Sequence, residues 1–192
     1  MKRVLIAVHD KTGIVELAKE LNKLGFTIIS TGGTLTTLKR NRISNVKHVS
    51  EVTGFPEILE GRIKTLHPKI LAGILAIRNN KVHVSELEKF QIEAIDWVVC
   101  NLYPFEKVTK ERATLKTALE NIDIGGPNMI RAAAKNFENV VVVVKPSRYM
   151  QVLEEYKKNG CVSFETRKAL AVEAFKETSR YDSVIGKFLE KT

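Results

Sequence analysis

Residues 4–34 read VLIAVHDKTGIVELAKELNKLGFTIISTGGT, and the class of fold turns on how this stretch divides. Val4-Leu5-Ile6-Ala7-Val8 is an apolar run of strand length, ended at once by the polar His9-Asp10-Lys11. Ile14, Leu17, Ala18, Leu21 and Leu24 then recur at helical spacing, and Gly25 follows where a left-handed helix cap is wanted. Thr27 to Ser30 closes the stretch as a second strand. Strand, helix and strand joined this way make one βαβ unit.

Outward from that unit the alternation continues. Val46 to Val49, Ile95 to Cys100 and Val140 to Val144 are further candidate strands, and the last two are nearly all apolar, as strands covered on both faces should be. Helices are expected from near Thr34, over roughly Val84 to Phe90 and from about Thr114 to Ile122. Lys145-Pro146-Ser147 stops the last strand and supplies an N-cap for a helix through Val152, Leu153 and Tyr156, closed by Asn159-Gly160. Beyond Phe164, the positions Leu170, Ala174, Phe175, Val184, Ile185, Phe188 and Leu189 predict one or two helices that cover the sheet or a partner subunit. The expected class is α/β: one three-layer domain over residues 1–192 with a mainly parallel sheet, a core over 1–146 and a helical extension over 147–192.

Composition narrows the function classes. The two cysteines, Cys100 in an apolar run and Cys161 near a turn, lack the paired spacing of a metal or redox motif. The amino-terminal apolar run is too short for a signal peptide, and nothing later approaches the roughly 18 apolar residues that cross a bilayer. These readings place the protein in the cytoplasm, away from membranes. Lys and Arg total 31 against 22 Asp and Glu, a formal charge of +9, which suits nucleic acid or small polyanionic ligands. The basic residues are scattered along the chain without a basic block or an aromatic-rich RNA-binding signature, so nucleic acid is the weaker of those readings.

In open parallel sheets ligands bind beyond the carboxyl ends of the strands, which directs attention to the loops there. His9-Asp10-Lys11-Thr12-Gly13 follows the first strand and Ser30-Thr31-Gly32-Gly33-Thr34 the second, each leading into a helix. Small hydroxyl residues and paired glycines let backbone N–H groups approach an anion, and a helix amino terminus adds partial positive charge. A plain helix cap at Thr34 with a tight glycine turn would account for the second loop equally well. The third loop, Ser50 to Gly73, carries Arg62, Lys64, His67 and Lys69; Arg62 offers a planar fork and Lys64 a compact charge. Read alone, that segment is also consistent with a solvated basic loop. After the fourth strand comes Asn101-Leu102-Tyr103-Pro104-Phe105, and later Asn121-Ile122-Asp123-Ile124-Gly125-Gly126-Pro127, with Pro127 where a helix can start. That helix carries Arg131 and Lys135 on one face, four residues apart, and Asn136 after them. Asp123 as a cap and Lys135 as a solvated lysine are the plain alternatives.

Taken in order, Asp10-Lys11-Thr12-Gly13, Ser30 to Thr34, Gly54-Phe55-Pro56-Glu57, Gly61-Arg62 with Lys64-Thr65-Leu66-His67-Pro68, Gly73 to Ala76, Asn101 to Phe105, Ile122 to Gly126 and Arg131 to Asn136 resemble the IMP cyclohydrolase domain. That domain is the amino-terminal part of a bifunctional purine biosynthesis enzyme that also carries a transformylase. The resemblance spans essentially the whole chain. It implies a methylglyoxal-synthase-like fold, a homodimer and no cofactor. It also implies a purine ribonucleotide substrate, the formylated aminoimidazole carboxamide ribonucleotide, cyclised to inosine monophosphate and water.

By the same resemblance, Lys11, Thr12 and Gly13 with Ser30, Thr31, Gly32, Gly33 and Thr34 hold the 5′-phosphate. Arg62, Lys64 and Thr65 line the base pocket, with Asn101, Ile124, Gly125 and Gly126 among the binding residues. Lys64, Tyr103, Asp123 and Lys135 form the reacting centre: Lys64 for the developing oxyanion, Asp123 as base, Lys135 and Tyr103 as proton donors while water leaves.

Two departures from the family pattern stand out. The family has serine before Asp-Lys-Thr-Gly where this chain has His9, which predicts retained phosphate binding with altered pH dependence. The chain also stops where the transformylase would begin, which fits either a stand-alone enzyme or an excised domain; in the first case the substrate would come from a separate formyltransferase. Methylglyoxal synthase and a non-catalytic nucleotide-binding regulatory module share the implied fold, but the Arg62 to Pro68 segment and the Asn101 to Phe105 block fit neither well.

Overall fold

The computed structural model describes residues 2–110 and 114–191, and its centre is the βαβ unit of the opening stretch. Strand β1 (Arg3–Val8) is followed by α1 (Ile14–Lys23) and β2 (Thr27–Ser30), with Arg3 to Ile6 paired in parallel to Thr27 to Ser30. Helix α1 buries Ile14, Leu17, Ala18 and Leu21, and Gly25 just beyond it takes φ 81°, the left-handed turn that its missing Cβ allows. Helix α2 (Gly32–Arg40) leads to β3 (Val46–His48), and the chain then crosses back to β4 (Trp97–Asn101) and β5 (Val141–Val143).

Among the described residues the sheet has five strands, all parallel, in the order β3-β2-β1-β4-β5. Its centre is fully apolar: Val4, Leu5, Ile6, Ile28, Ile29, Val98, Val99 and Val142 are completely buried. Such strands need cover on both faces, and the connecting helices supply it.

The Ser50 to Gly73 segment, expected as one long loop, holds more structure than that. Helix α3 (Val49–Thr53) and a single 3₁₀ turn at Leu59–Gly61 precede α4 (Pro68–Leu75). Both α-helices are capped by histidine: His48 Nδ1 accepts from the Ser50 N–H at 3.2 Å, and His67 Nδ1 accepts from the Lys69 N–H at 3.2 Å. Helix α5 (Lys81–Lys89), capped by Asn80, buries none of its residues. Helices α6 (Phe105–Lys110) and α7 (Leu115–Glu120) follow β4, and α8 (Gly125–Lys135) starts two residues before Pro127, the expected first position.

The last two helices pack into the same core as the sheet. Helix α9 (Tyr149–Asn159) lies against α1 and buries Tyr149, Val152, Leu153 and Tyr156. Helix α10 (Phe164–Leu189) runs along α8 and reaches β5 and α6, burying Leu170, Ala171, Ala174, Thr178 and Tyr181. No helix among the described residues is long and apolar enough to cross a membrane.

Candidate active site

The strand order places β1 next to β4 although the chain visits β2 and β3 between them. At such a switch point the loops leaving the two strands diverge and open a crevice at their carboxyl ends. Here the Asn101 side chain spans it: Oδ1 accepts from the Asp10 N–H at 2.8 Å and Nδ2 donates to the Asp10 carbonyl at 3.0 Å. The β1–β4 pairing is thereby continued one step past the strands by a side chain. The crevice is a cleft of about 940 Å³, walled by the ends of β1 and β4, the amino termini of α2 and α8, the turn at residues 60–65 and the segment 119–123.

One end of the cleft is built for an anion. Helix α2 begins at Gly32 with Thr31 as its N-cap, but Thr31 makes no capping bond; its side chain is turned to Glu57, and its hydroxyl donates to Oε1 at 2.6 Å. The first N–H groups of α2 therefore lack a side-chain acceptor and face the cleft with the positive end of the helix dipole. Two ammonium groups flank them. A Cβ on Gly33 would meet Lys11 Cε and Nζ at 3.8 Å, and one on Gly32 would meet Lys64 Nζ at 3.8 Å. The buried Thr34 hydroxyl fixes this terminus to the sheet, accepting from the Val8 N–H at 3.0 Å and donating to the Val8 carbonyl at 2.9 Å.

The other end is built around a carboxylate. Asp123 Oδ1 accepts from the Gly126 N–H at 2.8 Å, and the Asp123 N–H donates to the Tyr181 hydroxyl at 2.8 Å. Tyr181, on α10, is 2% exposed, and burial pushes its phenol above the ordinary range. Gly125 and Gly126 admit close packing: a Cβ on Gly125 would lie 2.7 Å from Thr65 Oγ1, and one on Gly126 would lie 2.4 Å from Asp123 Oδ2 and 2.6 Å from Leu102 Cδ2. Beneath Asp123, Cys100 lines the floor with its thiol pushed up by burial and then by the nearby carboxylate, which leaves it protonated and unreactive.

Between the two ends stands the turn that carries Arg62 and Lys64. Ile58 and Ile63 pair as an antiparallel bridge, pinching the intervening residues so that Leu59 (φ 53°), Glu60 (φ 55°) and Gly61 (φ 86°) are all left-handed. Such backbone costs about 1–3 kcal/mol at each non-glycine residue and persists where the surroundings over-determine it. It points Arg62 across the mouth of the cleft, where its Nη2 pairs with Glu120 Oε1 at 2.5 Å, both side chains more than half exposed.

His9 and Tyr103 meet edge to face with ring centres 4.3 Å apart on the cleft wall. Partial burial, and then the Lys11 charge, hold the His9 imidazole below its ordinary range. Asp10 points away from this wall; its carboxyl is held low by the Thr12 N–H, which donates to it at 2.9 Å.

Of the residues singled out from the sequence, the cleft gathers His9, Lys11, Thr31, Gly32, Gly33, Thr34, Arg62, Lys64, Thr65, Asn101, Tyr103, Asp123, Ile124, Gly125 and Gly126. Thr12, Gly13, Ser30 and Lys135 lie off its lining. Ser30 is fully buried and its hydroxyl donates to the Ile6 carbonyl at 2.8 Å, tying β2 to β1. Gly13 caps α1 with φ 68°, and the exposed Thr12 is turned toward Asp10. Lys135 is exposed at the far end of α8, about 15 Å of helix from the amino terminus that meets the cleft. Asn136, which follows Lys135, is buried and donates to the Ile74 and Ala76 carbonyls at 2.7 and 3.1 Å. Three contributors were missed from the sequence: Glu57, Glu120 and Tyr181, each meeting its partner only across 26 or more residues of chain. Among the described residues no group of three His, Cys, Asp or Glu is placed to hold a metal ion.

Comparison with known proteins gives this geometry a lineage. The MGS-like domain family matches residues 13–128, and the family described as AICARFT/IMPCHase bienzyme matches residues 133–192. The chain is 56% identical over 192 residues to the bifunctional purine biosynthesis protein PurH of Acetivibrio thermocellus, and 57% identical over 189 residues to that of a Thermoanaerobacter species. It is covered to 100% and 98% in those matches and spans 37% of each relative's length. A solved structure described as the crystal structure of ForH superposes with a TM-score of 0.85 at 34% identity, with 98% of each chain covered. The switch-point cleft, the parallel sheet and these matches together establish that the chain belongs to the MGS-like domain family and corresponds to the amino-terminal part of the bifunctional purine biosynthesis proteins.

Proposed function

We propose that this chain is an IMP cyclohydrolase, closing the formylated aminoimidazole carboxamide ribonucleotide to inosine monophosphate with loss of water. One observation carries the reading: a single cleft has an anion cradle at one end and a braced carboxylate at the other, with Lys64 and Tyr103 between them. The names of the relatives and of the second matching family point the same way.

The reaction needs little beyond positioning, because the attacking amide and the formyl carbon belong to one molecule. Well-oriented intramolecular closures show effective molarities of about 10⁵ to 10⁸ M. The phosphate, held at α2 beside Lys11, anchors the ribonucleotide so that its formyl group turns toward the amide. As the amide nitrogen bonds to the formyl carbon, its proton passes to Asp123 and the carbonyl electron pair moves to the formyl oxygen, facing the Lys64 charge. The oxyanion takes up the proton that Asp123 holds and becomes a hydroxyl. The ring carbon then loses that hydroxyl as water, protonated from Tyr103, while the former formamide nitrogen gives its proton back to the Tyr103 oxygen and the C=N bond forms.

Asp123 suits its part because the Gly126 N–H occupies only one oxygen and leaves the other to receive the proton. Lys135 enters this scheme only if a second copy of the chain brings it to the cleft, and the homodimer is part of the proposal. So are the cytoplasmic placement and a functional link to a formyltransferase.

The test is direct. The purified protein is mixed with the formylated ribonucleotide and inosine monophosphate is followed by ultraviolet absorbance, with Lys64→Ala and Asp123→Asn alongside. Wild type is expected to turn over; Lys64→Ala should fall about 10²- to 10³-fold and Asp123→Asn about 10²- to 10⁴-fold. A folded wild-type protein that binds inosine monophosphate yet forms none sinks the cyclohydrolase and favours a binding module.

A further inference from the structure

Glu57 lies off the cleft lining, yet one carboxylate there touches two of the walls. Its Oε1 accepts the Thr31 hydroxyl at 2.6 Å and stands 3.0 Å from His48 Nε2. Its Oε2 is turned to the strained turn: a Cβ built on Gly61 would meet Glu57 Oε2 at 3.7 Å and Lys64 Nζ at 4.0 Å. His48 is held in turn by Ser50, whose N–H donates to Nδ1 at 3.2 Å and whose Oγ lies 2.6 Å from the same nitrogen. With Nδ1 accepting a backbone N–H, the hydrogen of the neutral ring is on Nε2, directed at the carboxylate.

The consequence appears at Thr31. An N-cap threonine ordinarily spends its oxygen on the helix's own N–H groups. Here the hydroxyl is turned to Glu57 instead, and α2 is left without a side-chain cap. The Glu57 and His48 side chains are only 30% and 25% exposed, so the pair forms a fixed bracket behind the loop.

We propose that Glu57, steadied by His48, is a positioning residue for the anion end of the cleft: it holds the Thr31 hydroxyl off the helix terminus and so keeps the Gly32 and Gly33 N–H groups open for the substrate phosphate. This rests on the cyclohydrolase reading for the identity of the ligand. Glu57 touches no reacting atom, so its loss is felt in binding, which is the same in ground and transition states and shows in KM rather than kcat.

The experiment measures IMP and inosine binding by calorimetry, and KM and kcat, for wild type, Glu57→Ala and Glu57→Gln. Glu57→Ala is expected to weaken IMP binding and raise KM about tenfold, the scale of one charge-assisted hydrogen bond, with kcat within about twofold. Inosine, which lacks the phosphate, binds both proteins alike. Glu57→Gln recovers most of the loss, since its amide oxygen still accepts from Thr31 and His48. On a Thr31→Val background Glu57→Ala adds no further loss. If Glu57→Ala does not fold, His48→Ala reads the same bracket and raises KM about threefold at constant kcat, a part of that same bond's worth. Unchanged IMP affinity, equal weakening of inosine, or a fall in kcat at constant KM overturns the proposal. Inorganic phosphate, titrated against the same variants, separates the two readings. Phosphate weakened by Glu57→Ala in a protein that forms no inosine monophosphate sinks the ring closure but keeps the bracket; phosphate bound equally by both proteins overturns the bracket whatever the turnover.

Discussion

Two glycine pairs open two helices on the same rim, and they are glycines for opposite reasons. At Gly32 the left-handed φ of 53° already calls for glycine, and at both Gly32 and Gly33 an added methyl would meet nothing nearer than the ends of Lys11 and Lys64 at 3.8 Å, which leaves room there for something that is not protein. At Gly125-Gly126 the space is already filled by Thr65, Leu102 and the Asp123 carboxylate at 2.4 to 2.7 Å. In sequence the two pairs look alike. The first is loosely surrounded beside Lys11 and Lys64, and the second is a close-packed joint that aims an acid.

The contrast is most exposed at Gly126→Ala. The methyl must displace Leu102 or Asp123. Turnover should fall about 10²-fold or more with the loss of a placed base, and stability by about 1–3 kcal/mol from overpacking, read by kcat and a thermal melt. Normal values for both would show that the joint yields freely. Gly33→Ala should separate the same two readouts in the other direction. Its backbone is helical and its surroundings open, so the melt should rise by about 0.5–1 kcal/mol of stability while KM for the nucleotide climbs about tenfold, a single contact's worth. A stabilised protein with unchanged KM would mean that no phosphate approaches there.

A smaller effect is expected in the pH profile. Burial and Lys11 disfavour the charged form of His9 in the free protein, whereas a bound dianionic phosphate favours it, so binding takes up a proton. Affinity for inosine monophosphate should therefore rise a few-fold as pH falls from about 7.5 to 6.5 around the ordinary histidine range, and His9→Ser should flatten that slope. A slope that survives the substitution assigns the proton elsewhere. The smallest change belongs to Glu120→Gln. Its pair with Arg62 is largely solvated, worth about 0–1 kcal/mol, so the melt should hold and KM should fall by no more than about twofold as Arg62 is freed for the ligand. A large loss of stability would show that the pair is structural.

The alternation of periods was enough to find the sheet. All five strands lie within two residues of the apolar runs that predict them, because buried parallel strands have few other ways to be written. The loops at their carboxyl ends were legible for the same reason: the strand order says at which rim a crevice opens. Helices α3 and α4 escaped notice because their caps are His48 and His67, whereas familiar start signals are Ser, Thr, Asp and Asn. Ser30 illustrates the opposite error. A hydroxyl at the end of a strand reads like a phosphate ligand, and only the third dimension shows it spent on the Ile6 carbonyl. The spacing of Arg131 and Lys135 correctly puts them on one face of α8, but that face runs along α10, where the Arg131 guanidinium sits 5.7 Å from the Phe175 ring. Glu57 stood in the Gly54 to Glu57 block without a role and Tyr181 carried no local signal, since each matters through a partner distant in sequence.

Tyr181 also sets how small this protein can be made. A cut after the last strand would spare every loop on the rim and look harmless on a topology diagram. It would remove the one phenol against which the Asp123 backbone leans, so the shortest version of the chain that keeps its acid in place must run deep into the final helix.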